Sequence, residues 1–225
     1  MPDITEQTTG TTNRLSTRAL VGIILGAAIL VALAFAAGRF TVAVPAMPSN
    51  TSAEAGFSRD MQTHHLQAVR MSMIIRDNTD DEEIRLLAYD IATAQSQQAG
   101  QMFAWLELWG LPQAAPEPSM TWMNRPALDG SAHNHGSGDQ AHEPGAPMPG
   151  LATAEQLSEL ESLRGVEAER LFLELMIAHH IGGVEMAEAV LDRSTHPEVR
   201  QLAGGMVIVQ EKEITYMEDL LAERS

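Results

Sequence analysis

Two stretches of the chain carry residue types that ligate soft metals: MQTHHLQAVRM at 61 to 71 and MIAHHIGGVEM at 176 to 186. Both spell M-x-x-H-H-x-x-x-V-x-M. Residues three and four apart share one face of an α-helix, with Cβ atoms about 5 to 6 Å apart. Met61 can therefore set its sulfur beside an imidazole of His64 or His65, and Met176 beside His179 or His180. Adjacent histidines diverge by about 100° around the axis, so the two members of a pair cannot enter the same core together. Met71 stands seven residues beyond His64, roughly 10 Å along the helix, and belongs to a separate site or to the core.

Thioether sulfur is soft and favours Cu(I), whereas imidazole serves copper, zinc, iron and nickel alike. The sequence contains no cysteine, which removes thiolate sites, disulfides and cysteine nucleophiles. A Met/His set without thiolate points to copper, Cu(I) by preference. A di-iron bundle would carry Glu-x-x-His on its helices, but the residues three before the four histidines are Met61, Gln62, Met176 and Ile177. Taken singly, Met71, Met73, Met186 and Met206 read as core filling; the duplication of Met-x-x-His-His is what favours a metal.

These residues must be positioned by helices. Apolar positions recur at threes and fours from Phe57 to Ile75 and again from Ile84 to Trp105, with RDNTDDEE between them as a turn and an acidic helix start. An offset of 115 residues superimposes this hairpin on a second one with fourteen identities over residues 57 to 106 and no gap, including Phe57 with Phe172, Arg85 with Arg200, Gln95 with Gln210 and Met102 with Met217. Each hairpin alone would leave an apolar stripe in water, so the expected fold is all-α, two similar hairpins packed as one four-helix bundle about a pseudo-two-fold axis. With the first turn centred near residue 79 or 80, facing residues sum to about 159 by the antiparallel geometry. That sets Gln95 opposite His64 and Gln98 opposite Met61, and in the second hairpin Gln210 opposite His179 and Glu213 opposite Met176.

Outside the hairpins, residues 20 to 37 are uncharged and apolar, of the length of a transmembrane helix. Arg14 and Arg18 before the segment and Arg39 after it place residues 1 to 19 in the cytoplasm and the rest outside. The chain is expected to be single-pass in the cell membrane, or secreted if the segment is a cleaved signal peptide. Residues 38 to 52 read as a tether, 53 to 111 as the first hairpin, 112 to 150 as a flexible His/Pro/Gly-rich linker and 151 to 225 as the second hairpin, with TAEQ at 153 to 156 as a capping box and Gly165 ending or kinking the short helix it opens. Within the linker, His133, His135 and His142 stand with Asp139, Glu143 and Met148 in a stretch that could collect metal weakly or be plain solvated chain, while Met120, Trp122 and Met123 are expected to pin the linker to the bundle. A net charge of −16 with only 14 lysines and arginines excludes a nucleic-acid partner.

MQTHHLQAVRM, MIAHHIGGVEM, the Gln-x6-Met of residues 95 to 102 and 210 to 217, and MPGLATAEQLSELESLRGVEAERLFLELM together resemble the domain of unknown function 305 family over about residues 55 to 222. The resemblance implies a ferritin-like bundle, exported or membrane-tethered in bacteria and, in several members, associated with copper. It also implies Met61, His64, His65, Met71 and Met102, with Met176, His179, His180, Met186 and Met217, as copper contacts. Two positions depart from the pattern: Gln98 stands where the family often has the Glu that the second hairpin keeps as Glu213, and Gly183 replaces the usual alanine. The first hairpin is therefore expected to bind less tightly or to support the second.

The sequence reads as an extracytoplasmic copper-binding protein that buffers, stores or delivers the ion, to a partner protein where it delivers. No nucleophile triad or paired acid/base motif calls for an enzyme. The rivals are a metal-dependent redox enzyme and a structural or sensory bundle whose histidines are core residues.

Overall fold

The computed structural model describes residues 16–41, 46–130 and 143–224. All regular structure among them is helical. The chain divides into two compact units, Met1–Pro45 and Ala46–Ser225. The first contains helix α1 (Thr17–Thr41), in which Thr17–Gly38 has a mean hydropathy of 2.8 and is long and apolar enough to cross a membrane.

The second unit holds the two expected hairpins. Helix α2 (Ala53–Asn78) starts at Ser52, whose hydroxyl accepts the Ala55 N–H, and α3 (Glu82–Leu108) starts at Asp81, whose carboxylate accepts the Ile84 N–H. Each cap satisfies one of the orphan donors of a helix N-terminus. The TAEQ capping box forms as read, with Thr153 and Gln156 bonding reciprocally at the head of α4 (Ala154–Ser162). Gly165 does not end that helix, which stops at Ser162; it opens α5 (Gly165–Leu191). Helix α6 (Pro197–Glu223) begins with proline, whose missing N–H costs nothing there.

Both hairpin turns are clamped by the same repeated residue. The Arg85 guanidinium donates to the carbonyls of Arg76 and Thr79, and Arg200, its partner at the 115-residue offset, donates to those of Leu191 and Ser194. Helix α2 packs on α3, α5 on α6, and α2 crosses α5 between the hairpins. This is a ferritin-like four-helix bundle.

Its apolar core falls into two clusters. One contains Met71, Ile75, Ile84, Ile91, Phe172, Met176 and Met217; the other contains Phe57, Met61, Met102, Met186, Val190 and Met206. Along all four helices the residues between the clusters include the polar ones, His64 and His65, Gln95, His179 and His180, and Gln210. The clusters exchange under the pseudo-two-fold, so that Met61, Met102 and Met186 on one side answer Met176, Met217 and Met71 on the other.

Parts of the connection between hairpins are folded onto this frame. Met120, Trp122 and Met123 are buried around a 3-10 turn, and Asp60 of α2 accepts both the Met120 N–H at 2.8 Å and the Trp122 indole N–H at 2.9 Å. Further on, residues 148–152 form a strap across α2 and α5. Its Ala152 backbone exchanges two hydrogen bonds with the Gln67 side chain at 2.7 and 2.9 Å. Gly150, at a φ of 72°, and Gly182 let the strap lie backbone to backbone on α5, since a Cβ on either would stand 2.1 Å from a carbonyl oxygen across the contact. The N-terminal tail through residue 15, tether residues 42–45, and the linker residues His133, His135, Asp139 and His142 lie outside the described residues.

Replacing Gly182 by alanine should lift the strap from α5. The gain in helix propensity, about 1 kcal/mol, is smaller than the typical overpacking cost of about 1–3 kcal/mol. Thermal unfolding of Gly182→Ala should therefore show a lower Tm than the parent; an equal or higher Tm would contradict the packing described.

Candidate metal centre

His64, His65, His179 and His180 are all fully buried, so both members of each pair enter the interior, contrary to the expectation from their divergence around the helix. His64 and His179 face each other across the hairpins, while His65 and His180 face Gln98 and Glu213 within their own. The His64 and His179 rings stack in a tilted arrangement across the pseudo-two-fold, with centroids 3.7 Å apart and planes inclined by 32°, while each lies 6.4 or 6.1 Å from the ring of its own chain neighbour. Two main-chain carbonyls fix the tautomers of the stacked pair. His64 donates from Nε2 to the Pro149 carbonyl of the strap at 3.0 Å, and His179 donates from Nε2 to the carbonyl of His64 at 2.8 Å. The proton on Nε2 leaves the lone pair on Nδ1, and neither Nδ1 has a protein partner. An imidazole held by a carbonyl through one nitrogen and bare at the other is the arrangement that orients a histidine toward a metal.

The remaining pair is asymmetric. His180 meets two acceptors, the Met176 carbonyl from Nδ1 at 3.0 Å and a Glu213 carboxylate oxygen from Nε2 at 2.8 Å. Neither of its ring nitrogens is left free. His65, the equivalent residue, completes no well-formed hydrogen bond at either nitrogen, and the Gln98 amide beside it, in the position of Glu213, favours its charged form against the larger effect of burial. Both polar atoms of Gln95 and the side-chain oxygens of Gln98 and Gln210 also lack protein partners. Free donor atoms thus concentrate on the first hairpin. A Cβ at Gly183 would stand 2.4 Å from Gln210 Oε1, the end of a flexible side chain that would have to shift.

The contact of Glu213 with His180 instead of Met176 corrects the expected register by one turn. A helical side chain leans toward the N-terminus of its own helix, so in an antiparallel pair the two leans add and the residues that meet have a larger sum. Facing residues sum to 393, as for His180 with Glu213 and Gly183 with Gln210. Met61 and Met102, at the corresponding register of the first hairpin, share one core cluster, as do Met176 and Met217. Met71 joins the second hairpin's Met176 and Met217, and Met186 joins the first hairpin's Met61 and Met102. This exchange between hairpins could not be read from spacing along one helix. Among the described residues, no three His, Asp or Glu side chains form a metal-binding group; soft donor sets here must draw on methionine sulfur.

Burial pushes His65 down to about 3 and His64 down to about 4, and it holds His179 well below the usual range. Neighbouring imidazoles push the same way. At neutral pH these three rings are uncharged, the state in which imidazole ligates.

A duplicated helical hairpin closed around a buried histidine layer defines a ferritin-like bundle of internal two-fold design. The chain belongs to the family described as domain of unknown function (DUF305), which matches residues 54–221. A crystal structure of a DUF305 protein from Streptomyces coelicolor, a candidate secreted protein, is 48% identical with a TM-score of 0.67, covering 78% of this chain and 96% of its own. A DUF305 fragment from Deinococcus radiodurans is 32% identical with a TM-score of 0.59, over 76% and 96% of the two chains. CopM in its Cu(II)-bound form shares the fold at 21% identity and a TM-score of 0.55, over 77% and 98%; it is also known in Cu(I)-bound and Ag-bound forms. No curated protein matches the sequence.

Each depressed histidine takes up its proton in the unfolded chain, near pH 6.5, before it does so in the folded one. Stability is complete above that pH and falls on acidification toward about pH 4, by up to about 1.4 kcal/mol per pH unit for each such group. Urea midpoints of the metal-free protein should decline across this window. His65→Leu, which removes a ring without hydrogen bonds, should make the decline shallower; an unchanged slope would contradict its burial as a neutral imidazole.

Proposed function

We propose that this protein is a membrane-anchored, extracytoplasmic copper-binding protein that holds Cu(I) in Met/His sites of its bundle and buffers, stores or passes it on. One observation carries the reading: two stacked histidines, each with Nε2 committed to a carbonyl and Nδ1 bare, lie between two buried methionine trios. The donors are His64, His65 and His179, with Met61, Met102 and Met186 on one side and Met71, Met176 and Met217 on the other. His180 acts through its pair with Glu213, which anchors the layer. Sulfur and neutral imidazole match Cu(I) in softness, whereas harder ions would want the carboxylate groupings that are missing among the described residues. The copper- and silver-bound forms of CopM support the same metal class. The apolar α1 would be the single-pass anchor. No catalytic step is assigned.

The test is Cu(I) titration of the full chain in detergent against a competing chelator, with the triple variant Met61→Leu/Met102→Leu/Met186→Leu in parallel. Met-to-Leu exchange conserves volume and costs less than about 1.5 kcal/mol per site, so the fold should persist. Affinity should fall at least about tenfold. Unchanged affinity would return these methionines to the role of core filler.

A further inference from the structure

Between α3 and α6 runs a groove of ≈ 510 Å³ lined by Gln98, Gln101 and Trp105 on one side and by Glu198, Gln201, Leu202, Gly205 and Val209 on the other. We propose that this groove is the port through which Cu(I) reaches the histidine layer, with Gln98 at its inner end handing the ion to His65. The inference rests on the copper-binding reading above.

The internal repeat supplies the comparison. At one end of the bundle Tyr216 of α6 reaches across to α3 and donates its hydroxyl to Glu83 at 2.7 Å. The 115-residue offset relates Tyr216 to Gln101 and Glu83 to Glu198. At the other end the two positions of this latch are thus held by Gln101 and Glu198, and both line the open groove. A second departure lies in its wall. Gly205 stands where the first hairpin has Asp90, and a Cβ there would meet nothing within 4 Å. A glycine inside a helix costs about 1 kcal/mol relative to alanine, and nothing packs against this one to require it; its effect is to keep the wall low. The third departure is Gln98 itself. It lines the groove, its Oε1 is buried without a well-formed hydrogen bond, and its amide lies beside His65, neither of whose nitrogens completes one. At the equivalent place in the other hairpin, Glu213 and His180 are bonded to each other. All three departures fall on the end where donor atoms are free.

The route is one of weak oxygen donors, the exposed Glu198 carboxylate, one oxygen of which meets His196 at 2.9 Å, and the amides of Gln98, Gln101 and Gln201, which can pass a cation inward without retaining it. The chain's net charge of −16 raises the local cation concentration at its surface.

Gln101→Tyr installs the missing latch residue, and Gly205→Leu fills the same groove from the other wall. Stopped-flow transfer of Cu(I) from a chromophoric chelator to the full chain in detergent reads the uptake rate, and equilibrium competition reads affinity. Gln97→Tyr, an exposed α3 position outside the groove lining, is the control for added bulk. Both groove variants should slow uptake about tenfold at unchanged affinity, while the control matches the parent. Parent-like rates in both groove variants would overturn the port and leave copper binding intact. A loss of affinity matching the loss of rate would also overturn it, making the groove part of the site. Failure of the parent itself to take up Cu(I) would overturn the copper reading, and the port with it.

Discussion

Burying four imidazoles and two glutamines at the level where the two hairpins meet is the constraint around which this bundle is arranged. Polar groups removed from water are costly unless they are paired. Much of the architecture near the layer answers that demand with main-chain oxygens. The strap between hairpins brings the Pro149 carbonyl to His64, and the crossing of α2 and α5 brings the carbonyl of His64 to His179. The Gly150–Gly182 contact exists to let the strap approach closely enough for the first of these bonds. Within the layer, the atoms left without a protein partner are imidazole nitrogens of His64, His65 and His179 and amide groups of Gln95, Gln98 and Gln210, flanked on both sides by thioethers.

The repeat was the most informative feature of the sequence. Fourteen identities at one offset predicted two equivalent hairpins, and the structure has them, down to the paired arginines that clamp both turns. The capping box at Thr153 and the burial of Met120, Trp122 and Met123 were also legible, because caps and large apolar side chains act locally. Facing pairs were not. A hairpin's register depends on the lean of each side chain along its helix as well as on the turn, so the arithmetic put Glu213 one turn away from His180. Nor could spacing within one helix show that Met71 completes a cluster with Met176 and Met217, because that depends on how the hairpins cross. The strap was missed altogether: MPG at 148 to 150 reads as linker, and only its contact with Gly182 reveals what the glycines are for.

Likeness between the hairpins makes their differences readable. Glu213 engages His180, whereas Gln98 leaves His65 open. Tyr216 spans the helices at one end, whereas Gln101 lines a groove at the other. A substitution in a unique structure has to be judged against an imagined alternative. Here the alternative is present in the same molecule, with the same helices and nearly the same neighbours, so the effect of one side chain can be compared directly.

The stack of His64 on His179 also shows what joining the hairpins in one chain makes possible. In a dimer of identical hairpins, every group beside the axis would face its own copy, and a change on one side would be made on both. Two free imidazoles or two bonded ones would be the only choices. Covalent linkage releases the molecule from that rule: one half can keep the rigid, fully bonded pair that holds the layer in place while the other leaves its donors bare. Division of labour across a nearly symmetric interface is thus a property of the single chain that no homodimer of either half could reproduce.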